Sequence, residues 1–313
     1  MNLTIQYVVN PNFKKAYSNS NASYKSIQSS YSKIRLNENK ELLKPNRRRQ
    51  VSFKVDHVAF KMIYCSIGKF TIGSDVEAHL NPKRVGWIKE PFLLGETEVT
   101  QELFEAVMGK HPSHFQKING YTDNNKRPVE TVTWYDALMF CDMLSIRLGK
   151  TPYYNISSVE YYAFHWSVKA PYPAIQKATT TINPLANGFR LPLAKEWEYA
   201  AKAGTNNRWS STNEEKKVGE IAWFTDNSKI NEEGQTHPIK GKIPNEWGFY
   251  DMSGNVWEWC WDRHVLKEES DIEYRLALGG SFEDDVEITQ YALAPPESCA
   301  NKIGFRILLP AFK

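Results

Sequence analysis

Thiols, imidazoles and carboxylates are the groups of this chain able to do chemistry, and their spacing limits what they can do. The four cysteines, Cys65, Cys141, Cys260 and Cys299, lie far apart, with no CxxC pair among them. Such spacing argues against structural zinc, and a 313-residue chain does not need disulfides for stability. Mostly buried, unbridged thiols are expected. Of seven histidines only His111 and His114 are close, and the intervening Pro112 and Ser113 indicate a turn, not a set of metal ligands. The adjacent acids Asp284 and Asp285 fall in a loop without a partner base. Signatures of Ser-His-Asp hydrolysis and of phosphate loops are absent.

The strongest positional signal is Ser253-Gly254-Asn255 followed by Trp257-Glu258-Trp259-Cys260-Trp261. A turn leads there into an extended segment whose three indoles, at every second position, share one face. Upstream, residues 51–55 and 59–63 alternate as strands, and 68–74 form a further strand closed by glycine. A helix capped by Thr100 presents Leu103, Phe104, Val107 and Met108 on one face and ends at Gly109. A second runs over about 133–148, with Trp134, Ala137, Leu138, Cys141 and Leu144 on one side, and stops at Gly149. A third carries Glu196, Trp197, Tyr199 and Ala200 and ends near Gly204, with Arg190 placed to pair with Glu196 or Glu198. Beyond Thr205, loops and short strands are expected.

Residues 1–50 differ in texture. They are rich in serine and asparagine, and Tyr17, Tyr24 and Tyr31, with Ile27 and Ile34, give only a narrow stripe at seven-residue intervals. We expect a loosely ordered arm or docked segment there, followed by one irregular α+β domain over 51–313. Apolar residues at 41% and aromatics at 13% suffice for a sizeable core in that domain. A formal net charge of +3 gives no argument for nucleic acid, and Arg47-Arg48-Arg49 is best taken as solvated linker. No run has the length of a membrane span, and no signal peptide is evident.

Seven motifs in order carry a resemblance. They are Gly95-Glu96-Thr97-Glu98-Val99-Thr100, Pro128-Val129-Glu130-Thr131-Val132-Thr133-Trp134, Gly188-Phe189-Arg190-Leu191-Pro192 and Glu196-Trp197-Glu198-Tyr199-Ala200. The Trp-Glu-Trp segment, Gly279-Gly280-Ser281-Phe282 and Gly304-Phe305-Arg306 complete the set. From about residue 60 onward the chain resembles the formylglycine-generating, sulfatase-modifying family. The resemblance implies a C-type-lectin-like fold, loop-rich, with short antiparallel strands and two to three helices. It also implies where chemistry should sit. The family's oxidase needs two thiols shortly after the Gly-Gly-Ser-aromatic turn, and those positions here are Asp284 and Thr289. A second branch of the family holds iron with three histidines, a set absent from this sequence. No catalytic residue and no cofactor are therefore expected. The exception is calcium, which family members hold near the Gly-Asn-x-Trp-Glu turn, making Asn255 and Glu258 the candidate ligands.

Between Phe282 and Gly304 the framework fits and the interior of the loop does not. That pattern resembles the variable proteins of diversity-generating retroelements built on this fold. The resemblance implies a non-enzymatic receptor-type protein, diversified over about 263–301, that binds an unknown protein or surface ligand. The implied variable residues are Arg263, His264, Asp284, Asp285, Tyr291, Leu293, Ala294, Pro295, Pro296 and Ser298. Of these, Asp284, Tyr291 and Leu293 are expected to be accessible and to share one face. Display at the cell surface follows from the resemblance alone, with a cytoplasmic location as the alternative. The functional alternatives are an inactive family scaffold or an oxidase of the family.

Overall fold

The computed structural model describes residues 50–74, 81–162, 173–264 and 273–311. In chain order these form β1 (Gln50–Val55), β2 (Val58–Cys65), β3 (Gly68–Ile72), β4 (Arg84–Ile88), β5 (Phe92–Gly95), α1 (Gln101–Met108) and α2 (Trp134–Arg147). Then follow β6 (Tyr154–Tyr161), β7 (Ile175–Ile182), α3 (Ala194–Lys202), α4 (Val218–Ile221), β8 (Lys229–Ile230) and β9 (Glu233–Gly234). β10 (Trp257–His264), β11 (Tyr274–Leu278), β12 (Tyr291–Ala294), β13 (Ile303–Gly304) and β14 (Leu308–Pro310) complete the chain. The arm expected over residues 1–50 lies outside the described residues, except for Gln50 at the start of β1.

Two four-stranded sheets organise the molecule, in the orders β1-β2-β5-β14 and β12-β11-β10-β13. All pairings in the second are antiparallel except β10 with β13. Three helices, α1, α2 and α3, begin where side-chain oxygens satisfy their first amides. Thr100 accepts from Leu103 N–H (3.3 Å), and Thr133 and Asp136 close a reciprocal capping box on α2. Glu196 accepts from the Leu193 amide at the head of α3 and is held in turn by the Arg190 guanidinium (2.7 and 2.8 Å). α4 is a single four-residue turn beyond the two or three helices expected.

The sheet containing β10 divides two cores. On one side Trp134, Phe104, Phe140 and Phe305 pack with Trp257, Trp259 and Ala277 around α1 and α2. On the other, Trp197, Phe249, Met252 and Leu308 pack around α3 with Cys260 and Leu278. Two strand regions escape the sequence pattern. The β6–β7 hairpin is rich in Ser and Thr and mostly exposed, so no apolar alternation marks it. β4 likewise exposes Val85 and Trp87.

Candidate functional site

β10 holds its indoles on one face, as the spacing implies, but its other face is equally buried. Glu258 and Cys260 are both fully inaccessible. A carboxylate in that position demands a counter-ion. Arg306, also fully buried, grips both Glu258 oxygens, and the Trp197 indole N–H adds a further bond (2.7 Å). Three further indoles in the layer find acceptors: Trp259 on Val132 O (3.1 Å), Trp134 on Cys260 O (2.9 Å) and Trp257 on Asp284 Oδ2 (2.8 Å). Arg306 appeared in the sequence only as part of a motif, and its role emerges from the pairing with Glu258.

Glu98 and Asp251 lie in the same buried network. Burial, with Asp251 and Glu258 nearby, pushes the Glu98 carboxyl well above the usual range, and neither of its oxygens has a hydrogen-bond partner among the described residues. Asp251 is pushed up to about 6, again chiefly by burial, although its Oδ2 accepts from the Lys240 amide.

The turn before β10 is set by backbone demands. Gly254 has φ 84°, and a Cβ there would lie 2.0 Å from the Trp223 carbonyl oxygen. Asn255 (φ 65°) locks the neighbouring segment by accepting from His237 N–H (2.9 Å) and donating to His237 O (3.2 Å). These bonds engage both residues of the candidate calcium set. A calcium ion takes about six to eight oxygens. Asn255 Oδ1 already serves His237, and Arg306 already neutralises Glu258. As placed, Asn255 and Glu258 do not fit a calcium ion.

The thiols are sequestered. Burial pushes Cys65, Cys141 and Cys260 well above the usual thiol range and the half-buried Cys299 up to about 12. Thr289, at the second of the two thiol positions, is buried with its carbonyl accepting from Asn81 Nδ2 (3.3 Å). Asp284, at the first, is bound by the Trp257 indole and by Ser281.

Strand register sorts the variable candidates. β12 is an edge strand on β11, with Tyr291 opposite Leu278, Leu293 opposite Leu276 and Ala294 opposite Arg275. β11 pairs with β10 so that Arg263 faces Arg275 and His264 faces Tyr274. Alternation therefore puts His264, Tyr291 and Leu293 on the α3 side of the sheet, together with the half-buried Tyr274 and Leu276. Arg263 and Ala294 fall on the other side. Tyr291 and Leu293 share a face, each half-buried, whereas Asp284 belongs with Trp257, whose ring lies on the opposite face. Pro296 is buried, its carbonyl accepting from Trp134 N–H (3.0 Å), which removes it from any exposed surface. Pro295 and Ser298 are half-buried in the same tight turn, closed by Ser298 N–H to Pro295 O (2.9 Å). Asp285 is exposed near Arg208. Tyr274 and Leu276 were missed because only the register shows which face they share.

Together, the sheets, the caps and the buried ion pair define an α+β, C-type-lectin-like domain of the formylglycine-generating type. The chain matches the sulfatase-modifying factor enzyme 1-like domain over residues 49–311 and belongs to that family. A relative from Paenibacillus barcinonensis named chaperone protein LppX is 36% identical over 226 residues, covering 68% of this chain and 76% of that protein. The formylglycine-generating enzyme of Streptomyces coelicolor is 26% identical over 255 residues, covering 69% and 77%. Among solved structures, Treponema denticola variable protein 1 aligns with a TM-score of 0.70 at 32% identity, covering 84% of this chain and all of that one. No helix among the described residues is long and apolar enough to cross a membrane.

Proposed function

We propose that this protein is a non-enzymatic binding module whose ligand face is the half-buried α3-side margin of β10, β11 and β12, where Leu276 and Tyr291 border the second core. His264, Tyr274, Leu276, Tyr291 and Leu293 form that face, and the gene segment encoding it is diversified by a retroelement. The observation that carries the proposal is local replacement on an intact framework. Asp284 and Thr289 stand where the family's oxidase needs thiols, and both are absorbed into the scaffold by hydrogen bonds. The thiols the chain does have lie elsewhere, raised by burial, and none stands at either of those two positions. Half-buried tyrosine and leucine on a rigid strand offer contact area at low entropic cost, as binding surfaces require. Similarity to the Treponema variable protein supports the same assignment.

Sequencing the 3′ end of the gene in sister isolates tests it. Substitutions should concentrate at His264, Asp285, Tyr291 and Leu293 and spare Trp257, Glu258 and Arg306. A uniform sequence across isolates would favour an invariant family scaffold. Oxygen-dependent conversion of a cysteine-containing peptide by the purified protein would overturn the non-enzymatic assignment.

A further inference from the structure

A cavity of about 360 Å³ opens between α2 and β6. Met139, Met143 and Ile146 line it at helical spacing from α2, and Tyr154 and Ile156 line it from alternate positions of β6. The cavity volume falls in the range of small-molecule sites.

One charged group lines this apolar space. Asp142 is only 5% exposed, and its Oδ1 accepts the amides of Tyr153 (2.9 Å) and Tyr154 (3.0 Å), tethering β6 to α2. That tether needs only a carbonyl-type acceptor, which asparagine would supply equally well. The second carboxylate oxygen makes no hydrogen bond to the described residues, and none of their Lys or Arg side chains pairs with it. A buried carboxylate with no counter-ion is costly, and desolvation pushes Asp142 up to about 7.

We propose that this cavity binds a small organic ammonium, its nitrogen donating to Asp142 and its apolar body lying against Met139, Met143 and Ile146. An apolar body of about ten non-hydrogen atoms or fewer suits the space. The two methionines adapt readily to its shape. The cation supplies the missing counter-charge, so ligand charge and not bulk should decide affinity.

Calorimetric titration of the full chain at pH 8 with n-hexylammonium, n-hexanol and hexanoate tests this. Hexylammonium should bind at least about tenfold more tightly than hexanol, and hexanoate should not bind. Asp142→Asn, which keeps the acceptor for both amides, should erase the preference while leaving the circular dichroism spectrum unchanged. Should that variant fail to fold, the wild-type pH profile still discriminates. Hexylammonium affinity should rise as pH increases through about 7, as Asp142 ionises, while hexanol affinity stays flat. Equal affinity for hexylammonium and hexanol, no binding of hexylammonium, or undiminished preference in Asp142→Asn would each overturn the assignment.

Discussion

β10 and β12 belong to one sheet, separated only by β11, yet their side chains live under different constraints. On β10 the residues from Trp257 to Cys260 are buried on both faces, and the indoles and Glu258 all have specific partners. On β12 all four residues are half-buried, and among the described residues the strand has a neighbour on one side only. The difference shows how one sheet can be both fixed and permissive. Unpairing a buried charge costs far more than altering a partly solvated side chain, so substitution should be better tolerated on β12 than at the centre of β10.

The ion pair at the centre of β10 should give the largest effect. Arg306→Ala leaves Glu258 buried without its counter-ion and should cost about 3–5 kcal/mol in urea unfolding. A cost below about 1 kcal/mol would erase the contrast between the strands.

The buried acids beside that pair should give the next largest. Burial raises the folded-state values of Glu98 and Asp251 above those of the unfolded chain, so the folded state holds its protons more tightly. Stability should therefore be greatest at low pH in this respect and fall as pH rises from about 4 through about 6, by on the order of 3 kcal/mol. Glu130, pushed up to about 7 by burial, extends the decline toward neutrality. Thermal melts across this range should show the decline in the parent and in His264→Ala, and a shallower one in Glu98→Gln.

Much of the scaffold was legible because it obeys local rules. Thr100 and Thr133 cap helices as their types and positions imply, Arg190 pairs with Glu196, and the tryptophan spacing gives a strand with its indoles on one face. What escaped depends on long-range placement. The alternation of Trp257, Glu258 and Trp259 reads as buried and exposed, but a second core covers Glu258, and the sequence does not show that Arg306 will arrive there. Likewise Ala294 and Leu293 are neighbours in the chain and lie on opposite faces once β12 pairs with β11. The candidate site was legible as a region, and its division into two faces was not.

Smaller effects should follow at the border between the two strands. Trp257→Phe removes the indole bond to Asp284 and should cost about 1 kcal/mol, readable as a shift in the urea midpoint. At the exposed end of the proposed ligand face, His264→Ala should stay within about 0.5 kcal/mol of the parent in the same assay.

Simultaneous randomisation of His264, Tyr291 and Leu293 in a surface-displayed library, sorted with a probe for folded protein, measures the permissiveness of the proposed ligand face. We expect most variants to remain folded, with binders to unrelated protein targets recoverable from the folded pool. Loss of folding in most variants would contradict a face built to vary and would make β12 as much a part of the fixed scaffold as β10.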